Sequence, residues 1–342
     1  MKLEMAFEEF ESLVNFRYRV VLATLLQKPI VFKAQLQDHH LSFLRLVGKI
    51  CDGSSSQVTH DQCIFKPGLI TGGEINFKCV KDCAWNLLPL LPLFLFLKKP
   101  LELNLSGQTD GSCTLEIIKD HAIPFLKNFG ADLDGVDFQI KSRGYFKDTV
   151  GSLTLKWPLS ATVKFINPYI MSECGKVLKI RGTTTGTKVP PATLNTIIGT
   201  SRKTFSEFIP DVYIYSIFSP GSHAGYLLSM VAQTTTELTY AASVVGEPRV
   251  NPAETAAKCC ENLFKAIKTS YLDPTLHFMA LSLAACCEYT CTIKIKRQSR
   301  NSWLFIEDVE RLIHKKAIIS EKSPFDIKLS GIPLKNIHRE IK

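Results

Sequence analysis

No segment of this chain is apolar for the ~20 residues that a bilayer crossing needs. Its most apolar run, Leu87 to Leu97, is eleven residues long, contains Pro89 and Pro92, and reads instead as a buried helix. A disulfide framework is also missing. The eleven cysteines are an odd number scattered through apolar stretches, and closure of Cys259-Cys260 or Cys286-Cys287 would be strained. That usage fits free, buried thiols in a reducing compartment. Neither Cys79 and Cys83 nor Cys291 belongs to a spacing that supplies four zinc ligands, so neither a metal nor a cofactor is expected. The opening MKLEMAFEEFESLV carries acidic residues where a secretory leader has a basic flank, so no leader is expected there. Finally, acid is in deficit: 41 Lys and Arg against 32 Asp and Glu give a net charge of +9. An anionic partner such as nucleic acid suits that balance, and so does a solvated basic face.

What the chain does have is enough apolar residue, 45% of 342, to bury a substantial core, with 21% charged residues. Its length suits one large domain with an insertion, or two domains. Phe16 to Leu26 has helical spacing and stops before Pro29, after which Ile30-Val31-Phe32 reads as a buried strand. A second helix, Leu41 to Ile50, ends at Asp52-Gly53-Ser54. The order returns downstream, where Lys99-Pro100 precedes the alternating strand Leu101 to Leu105 as Lys28-Pro29 precedes the first. Phe125-Leu126-Lys127 and Asp134-Gly135 echo Phe43-Leu44-Arg45 and Asp52-Gly53, which predicts a diverged repeat. Paired strands are expected at Phe138 to Lys141 and Leu153 to Trp157, another at Val177 to Ile180, and then a Thr/Gly-rich hinge. Beyond it a compact α/β unit runs through helices near Ala192 to Phe208 and Ala253 to Thr269, with strands at Val212 to Tyr215 and Leu227 to Ala232. A helix at His277 to Cys287, a strand at Thr290 to Ile295 and an amphipathic helix at Ser302 to Lys316 make a third copy, and the segment from Ala317 reads as a mobile tail.

Three segments carry a resemblance: Phe16-Arg17-Tyr18-Arg19 with Leu22-Ala23-Thr24-Leu25 and Lys28-Pro29; Ser42-Phe43-Leu44-Arg45-Leu46; and Pro67-Gly68-Leu69-Ile70-Thr71-Gly72-Gly73. With Ile180-Arg181-Gly182 and Phe208-Ile209-Pro210-Asp211-Val212-Tyr213-Ile214-Tyr215, the chain resembles the RNA 3′-terminal phosphate cyclase superfamily. It is most similar to the superfamily's eukaryotic cyclase-like branch of ribosome biogenesis. The resemblance implies an α+β fold of three repeats, each a four-stranded sheet backed by two helices, with a smaller α/β domain inserted in the third. The core would occupy residues 1–181 and 273–342 and the insertion 182–272.

True cyclases activate an RNA 3′-phosphate through a histidine nucleophile just before the last core helix. Here that stretch, Lys294 to Asn301, has no histidine, and His314 lies in the predicted helix, one turn from Glu310. A glycine-rich phosphate turn is replaced by Ser12-Leu13-Val14 after Glu11, and another glycine-rich loop by Tyr145 to Thr149. The resemblance therefore implies a catalytically dead homologue. Cationic positions remain: Arg17, Arg19, Arg45, Arg143, Arg181, Lys294, Lys296, Arg297 and Arg300 are candidates for a retained RNA or anion cradle, with structural ion pairs or a solvated loop as the alternative. Asp308, Arg311 and Lys315, spaced i, i+3 and i+7, are candidates for phosphodiester cleavage, or form a salt-bridge ladder along their helix.

From the resemblance, the function is that of a non-catalytic factor of the small-subunit processome in the nucleus and nucleolus. It would be monomeric on its own, with no membrane partner, and bind pre-rRNA and a GTPase of ribosome assembly. The rival is an RNA-processing enzyme, either a pre-rRNA endonuclease or a residual cyclase.

Overall fold

The computed structural model describes residues 7–171, 173–246, 250–296 and 299–336. Ile30-Val31-Phe32 carries no polar side chain and is wholly buried, as a strand covered on both faces must be. This strand, β2 (Ile30–Phe32), runs parallel to β1 (Glu8–Phe10). It is antiparallel to β4 (Cys63–Lys66), which pairs in turn with β3 (Ser55–Val58), giving the order β1-β2-β4-β3. Helix α1 (Phe16–Leu26) connects β1 to β2, and α2 (Asp38–Ile50) follows β2. A second sheet, β5 (Gly73–Lys78), β6 (Leu101–Gly107), β7 (Asp137–Ser142) and β8 (Gly151–Trp157), has the order β5-β6-β8-β7 with the same pattern of one parallel and two antiparallel pairs.

The third sheet differs in order and size. It comprises β9 (Val177–Thr187), β10 (Asp211–Phe218), β11 (Gly225–Thr234) and β12 (Thr239–Gly246), ordered β10-β9-β11-β12, with α3 (Pro191–Phe205) and α4 (Pro252–Thr269) on one face. After α5 (His277–Ala284) come β13 (Cys291–Ile295), α6 (Arg300–Ile313), β14 (Ile318–Ile319) and β15 (Phe325–Leu329), in the order β13-β15-β14. A parallel bridge from Ile170 to Thr292 sets a further chain segment beside β13, so this last sheet has the directions of the first two. Two apolar cores result. One runs from Phe10 to Leu329 through the three similar sheets, and the other is confined to residues 180–263 between the third sheet and α3 and α4.

The Pro67 to Gly73 motif has a steric reason here. A Cβ on Gly68 would lie 2.3 Å from the backbone of Asp52 and Ser54, and Gly72, at φ +84°, would place one 2.6 Å from the Lys99 carbonyl. Only glycine lets these three chain segments meet.

Several sequence expectations are corrected. The Thr/Gly-rich stretch after Ile180 is no hinge but the middle of β9, where β-branched threonines suit a strand and Thr183, Thr184 and Thr185 are at most 5% exposed. Strand β9 also crosses the expected boundary at residue 182. The described part of the segment beyond Ala317, up to residue 336, is not a loose end: β14 and β15 complete the last sheet, with Ile327 and Leu329 buried. Leu87 to Leu97 is buried but broken into short turns, because Pro89 and Pro92 prevent one continuous helix. His314 does not continue α6; it caps the helix in the left-handed conformation, and Glu310 pairs with Lys316.

Candidate nucleic-acid interface

The cations expected to form one cradle are largely occupied by partners of their own. Arg19, projecting from α1, forks onto Asp308 of α6, with Nε to Oδ2 at 2.6 Å and Nη2 to Oδ1 at 2.9 Å, and its third nitrogen donates to the Ser12 carbonyl. Both side chains are buried, and burial outweighs the Arg19 bond to leave the Asp308 carboxyl above the usual aspartate range. Arg311 pairs with Glu8 at 2.8 Å, and both guanidiniums cover the Phe10 ring. Lys315, beyond the helix, donates to the Gly331 carbonyl. The proposed cleavage constellation is therefore a clamp between β1, α1 and α6, not a ladder along one helix face, and its carboxylate is inaccessible to a phosphodiester.

Arg143 is likewise internal, 2% exposed, and donates to Asp110 at 2.9 and 3.0 Å and to Glu116. Burial opposes its charge, but the two carboxylates outweigh that and hold its pKa above the ordinary value. Glu116 in turn accepts from Thr185 of β9, and the Arg143 N–H donates to Pro220, so this network joins the large core to the third sheet. Arg17 donates to the Trp85 carbonyl and lies 4.1 Å above the Trp85 ring. Arg181 pairs bidentately with Asp211, both bonds 2.8 Å, in an exposed setting. Lys294 bonds Glu173, and Lys296 donates to the Lys268 carbonyl near the end of α4. Arg45 and Arg300 are exposed, and Arg297 lies outside the described residues.

Lys296 borders a cavity of about 380 Å³ that Lys265, Ser299 and His277 also line. An imidazole thus stands near the strand-to-helix junction after all, supplied by α5 and not by residues 294–301, so nothing local in the sequence marked it. Its Nε2 donates to the Leu272 carbonyl at 3.0 Å, so Nδ1 accepts from the Ser302 hydroxyl, also at 3.0 Å. Burial lowers its pKa, partly opposed by the Leu272 bond and Asp273. With both nitrogens engaged, His277 is a neutral structural link between α5 and α6.

The larger concavity is a crevice of about 1,090 Å³ between the third sheet and the segment around residues 119–128. One face of that sheet packs on α3 and α4 through Ile180, Ile214 and Met230; the other turns Lys179, Arg181, Thr183, Tyr213 and Tyr215 the opposite way. The core covers this second face at its centre, where Thr185 meets Glu116, and leaves the β10 edge open. Lys119 and Lys127 form the facing wall with Asp120, while Glu237 lies at the turn between β11 and β12. Of the described residues expected to bind anions, only Arg181 lines this crevice. Lys179 neighbours it on β9, whereas Lys119 and Lys127 come from a segment some distance away in sequence; the Tyr-Ile-Tyr alternation at 213–215 was a visible signal of two aromatic rings on one strand face.

Among the described residues no group of three or more potential metal ligands occurs, and no helix is long and apolar enough to cross a membrane. Among curated proteins, the chain is 29% identical to the rRNA processing protein rcl1 of Schizosaccharomyces pombe over 98% of both chains. It is 30% identical to the human RNA 3′-terminal phosphate cyclase-like protein over 79% of this chain and 78% of that one. Among solved structures it is similar to the enolpyruvyl transferase NikO from Streptomyces tendae, at TM-score 0.41 and 10% identity over 97% of this chain and 50% of that one, too slight a likeness to bear on fold or activity. The RNA 3′-terminal phosphate cyclase family matches residues 9–319. With that span, and with cyclase-like relatives of this identity, the chain belongs to the RNA 3′-terminal phosphate cyclase family, alongside its cyclase-like proteins.

Proposed function

We propose that this protein is a non-catalytic rRNA-processing factor that binds pre-rRNA and a nucleolar GTPase within the small-subunit processome. The carrying observation is the chemistry at the junction of β13 and α6. It presents Lys296, Ser299 and Arg300, while the neighbouring imidazole of His277 has neither nitrogen free to attack phosphorus. Among the described residues of this junction, that leaves the covalent nucleotidyl step no free imidazole as acceptor. The endonuclease alternative loses its acid, because Asp308 is buried against Arg19. The rRNA-processing name of the S. pombe relative supports the pathway, and with it residence in the nucleus and nucleolus. Residues 182–272, extended back to the start of β9, serve in this reading as a small inserted domain whose crevice with the core offers Lys119, Lys127, Lys179 and Arg181 to RNA phosphates.

The test is incubation of the purified chain with 3′-phosphorylated RNA, ATP and magnesium. No nucleotidyl adduct and no cyclic phosphate end should form, whereas pre-rRNA should be retained with a steep salt dependence. A covalent adduct overturns the reading. Recovery of a GTPase together with precursor rRNA on co-purification is the outcome expected of the partner assignment.

A further inference from the structure

We infer that the open edge of the third sheet is a stacking platform for single-stranded RNA, in which Tyr213 and Tyr215 take up bases while Lys179, Arg181, Lys119 and Lys127 hold the phosphates. This rests on the proposed binding of pre-rRNA and specifies its form and its place.

The two rings project from alternate positions of the edge strand β10, 56% and 43% exposed, with centroids 6.1 Å apart and planes inclined by 31°. Residues two apart on a strand are separated by about 6.6 Å along it, comparable with the span of one extended nucleotide. Two rings side by side at that spacing can each accept a base, and aromatic stacking tolerates any base because each has a π-face. A duplex keeps its bases stacked within itself and offers none to such rings.

Charge selects the same ligand. Arg181 stands directly across the β9–β10 pairing from Tyr213, and Lys179 two residues before it on the same face. Lys119 and Lys127 line the opposite wall, against Asp120 and Glu237, so the crevice carries a surplus of cations beside an apolar ledge. Asp211 holds Arg181 in place, and since that pair is exposed, a phosphate can compete for the guanidinium at little cost. An acidic backbone bearing flat aromatic groups fits this arrangement better than an apolar peptide, which would leave the lysines unpaired.

The experiment titrates the full chain with a fluorescent 12-nucleotide single-stranded RNA and with the same RNA annealed to its complement. The wild type should prefer the single strand. Tyr213→Ala with Tyr215→Ala should weaken single-strand binding about tenfold or more while leaving the salt slope unchanged, and the matching double Phe variant should restore affinity. Lys119→Glu with Lys127→Glu should flatten the salt slope. Circular dichroism and thermal melts confirm that each variant folds. Three results overturn the platform: equal affinity for duplex and single strand, an Ala variant that binds like the wild type, or a Phe variant as weak as the Ala one. If the Ala variant still binds pre-rRNA normally, the platform falls while the rRNA-processing reading stands. If the wild type binds no RNA at all, both fall.

Discussion

The Arg19–Asp308 clamp separates a structural role for Asp308 from a chemical one. Replacement of Asp308 by Asn keeps the side chain's shape but leaves the buried guanidinium of Arg19 without its counter-charge. Removing one partner of such a pair costs about 3–5 kcal/mol, because the remaining charge stays desolvated and unpaired. At roughly 2.1 cal/mol/K of unfolding entropy per residue, over 342 residues, that loss lowers Tm by about 4–7 °C for a cooperative transition. Replacement of both partners, Arg19→Met with Asp308→Leu, removes the stranded charge and should recover most of the loss, since an apolar pair of similar volume is often neutral. Calorimetry or urea denaturation of the two single variants and the double gives the coupling energy, and pre-rRNA processing in cells gives the function. The double variant should support processing at a temperature where it is folded. The reasoning fails if Asp308→Asn melts like the wild type yet abolishes processing, for then the carboxylate acts on RNA.

Two further outcomes follow from buried charge. Arg143→Met should cost about 3–5 kcal/mol by stranding the Asp110 and Glu116 carboxylates. Because the network also reaches Thr185 and Pro220, limited proteolysis should release residues of the third sheet faster than in the wild type. His40 accepts the Gln37 N–H on Nδ1 at the start of α2, which requires a neutral ring. Burial, then His39, Lys81 and Arg17, lower its pKa to about 4 from the usual 6.5. The unfolded chain therefore binds the proton first on acidification, so stability holds above about pH 6.5 and declines as pH falls toward 4, at up to about 1.4 kcal/mol per pH unit. His40→Gln keeps an acceptor that does not titrate, and urea denaturation at pH 4.5 and 7 should show that part of the slope removed. An unchanged slope rejects the assignment.

What the sequence made legible follows from the range of the signals. Helix α1 and strand β2 were readable because a proline divides a run with helical apolar spacing from a short β-branched and aromatic one within a few residues. The motif Pro67 to Gly73 stood out in the sequence as a resemblance, but the close backbone approach that fixes Gly68 and Gly72 depends on Asp52, Ser54 and Lys99 and had no local signal. Strand β3 was invisible because its four residues, Ser55 to Val58, are all exposed and show no alternation. The run Gly182 to Thr187 misled because its composition suits loops, whereas its β-branching and position between two partners make it a central strand. The cations were harder still. Arg19 and Asp308 are 289 residues apart, and nothing local distinguishes an arginine with a buried carboxylate waiting for it from one left to meet a phosphate. Arg17 shows the same limit, since Trp85 receives it from another sheet's connection.

His277 offers the most direct check on whether chemistry has been lost at the junction of β13 and α6. A nucleophilic imidazole needs one nitrogen unprotonated and pointed at phosphorus, and freeing either here breaks a bond that holds α5 to its surroundings. Turning the ring leaves the Leu272 carbonyl buried without a donor, a cost of about 1–3 kcal/mol, and also loses the Ser302 contact. His277→Ala removes both bonds and opens a void, so it should lower stability by about 2–4 kcal/mol while leaving single-stranded RNA affinity unchanged, because the ring lines the smaller cavity and not the crevice. His277→Asn, able to both donate and accept, should recover part of that stability. Chemistry at this ring would produce the opposite pattern: an Asn variant with normal stability that no longer supports processing. That result would return the protein to the enzymes, with His277 rather than any residue of 294–301 as its nucleophile.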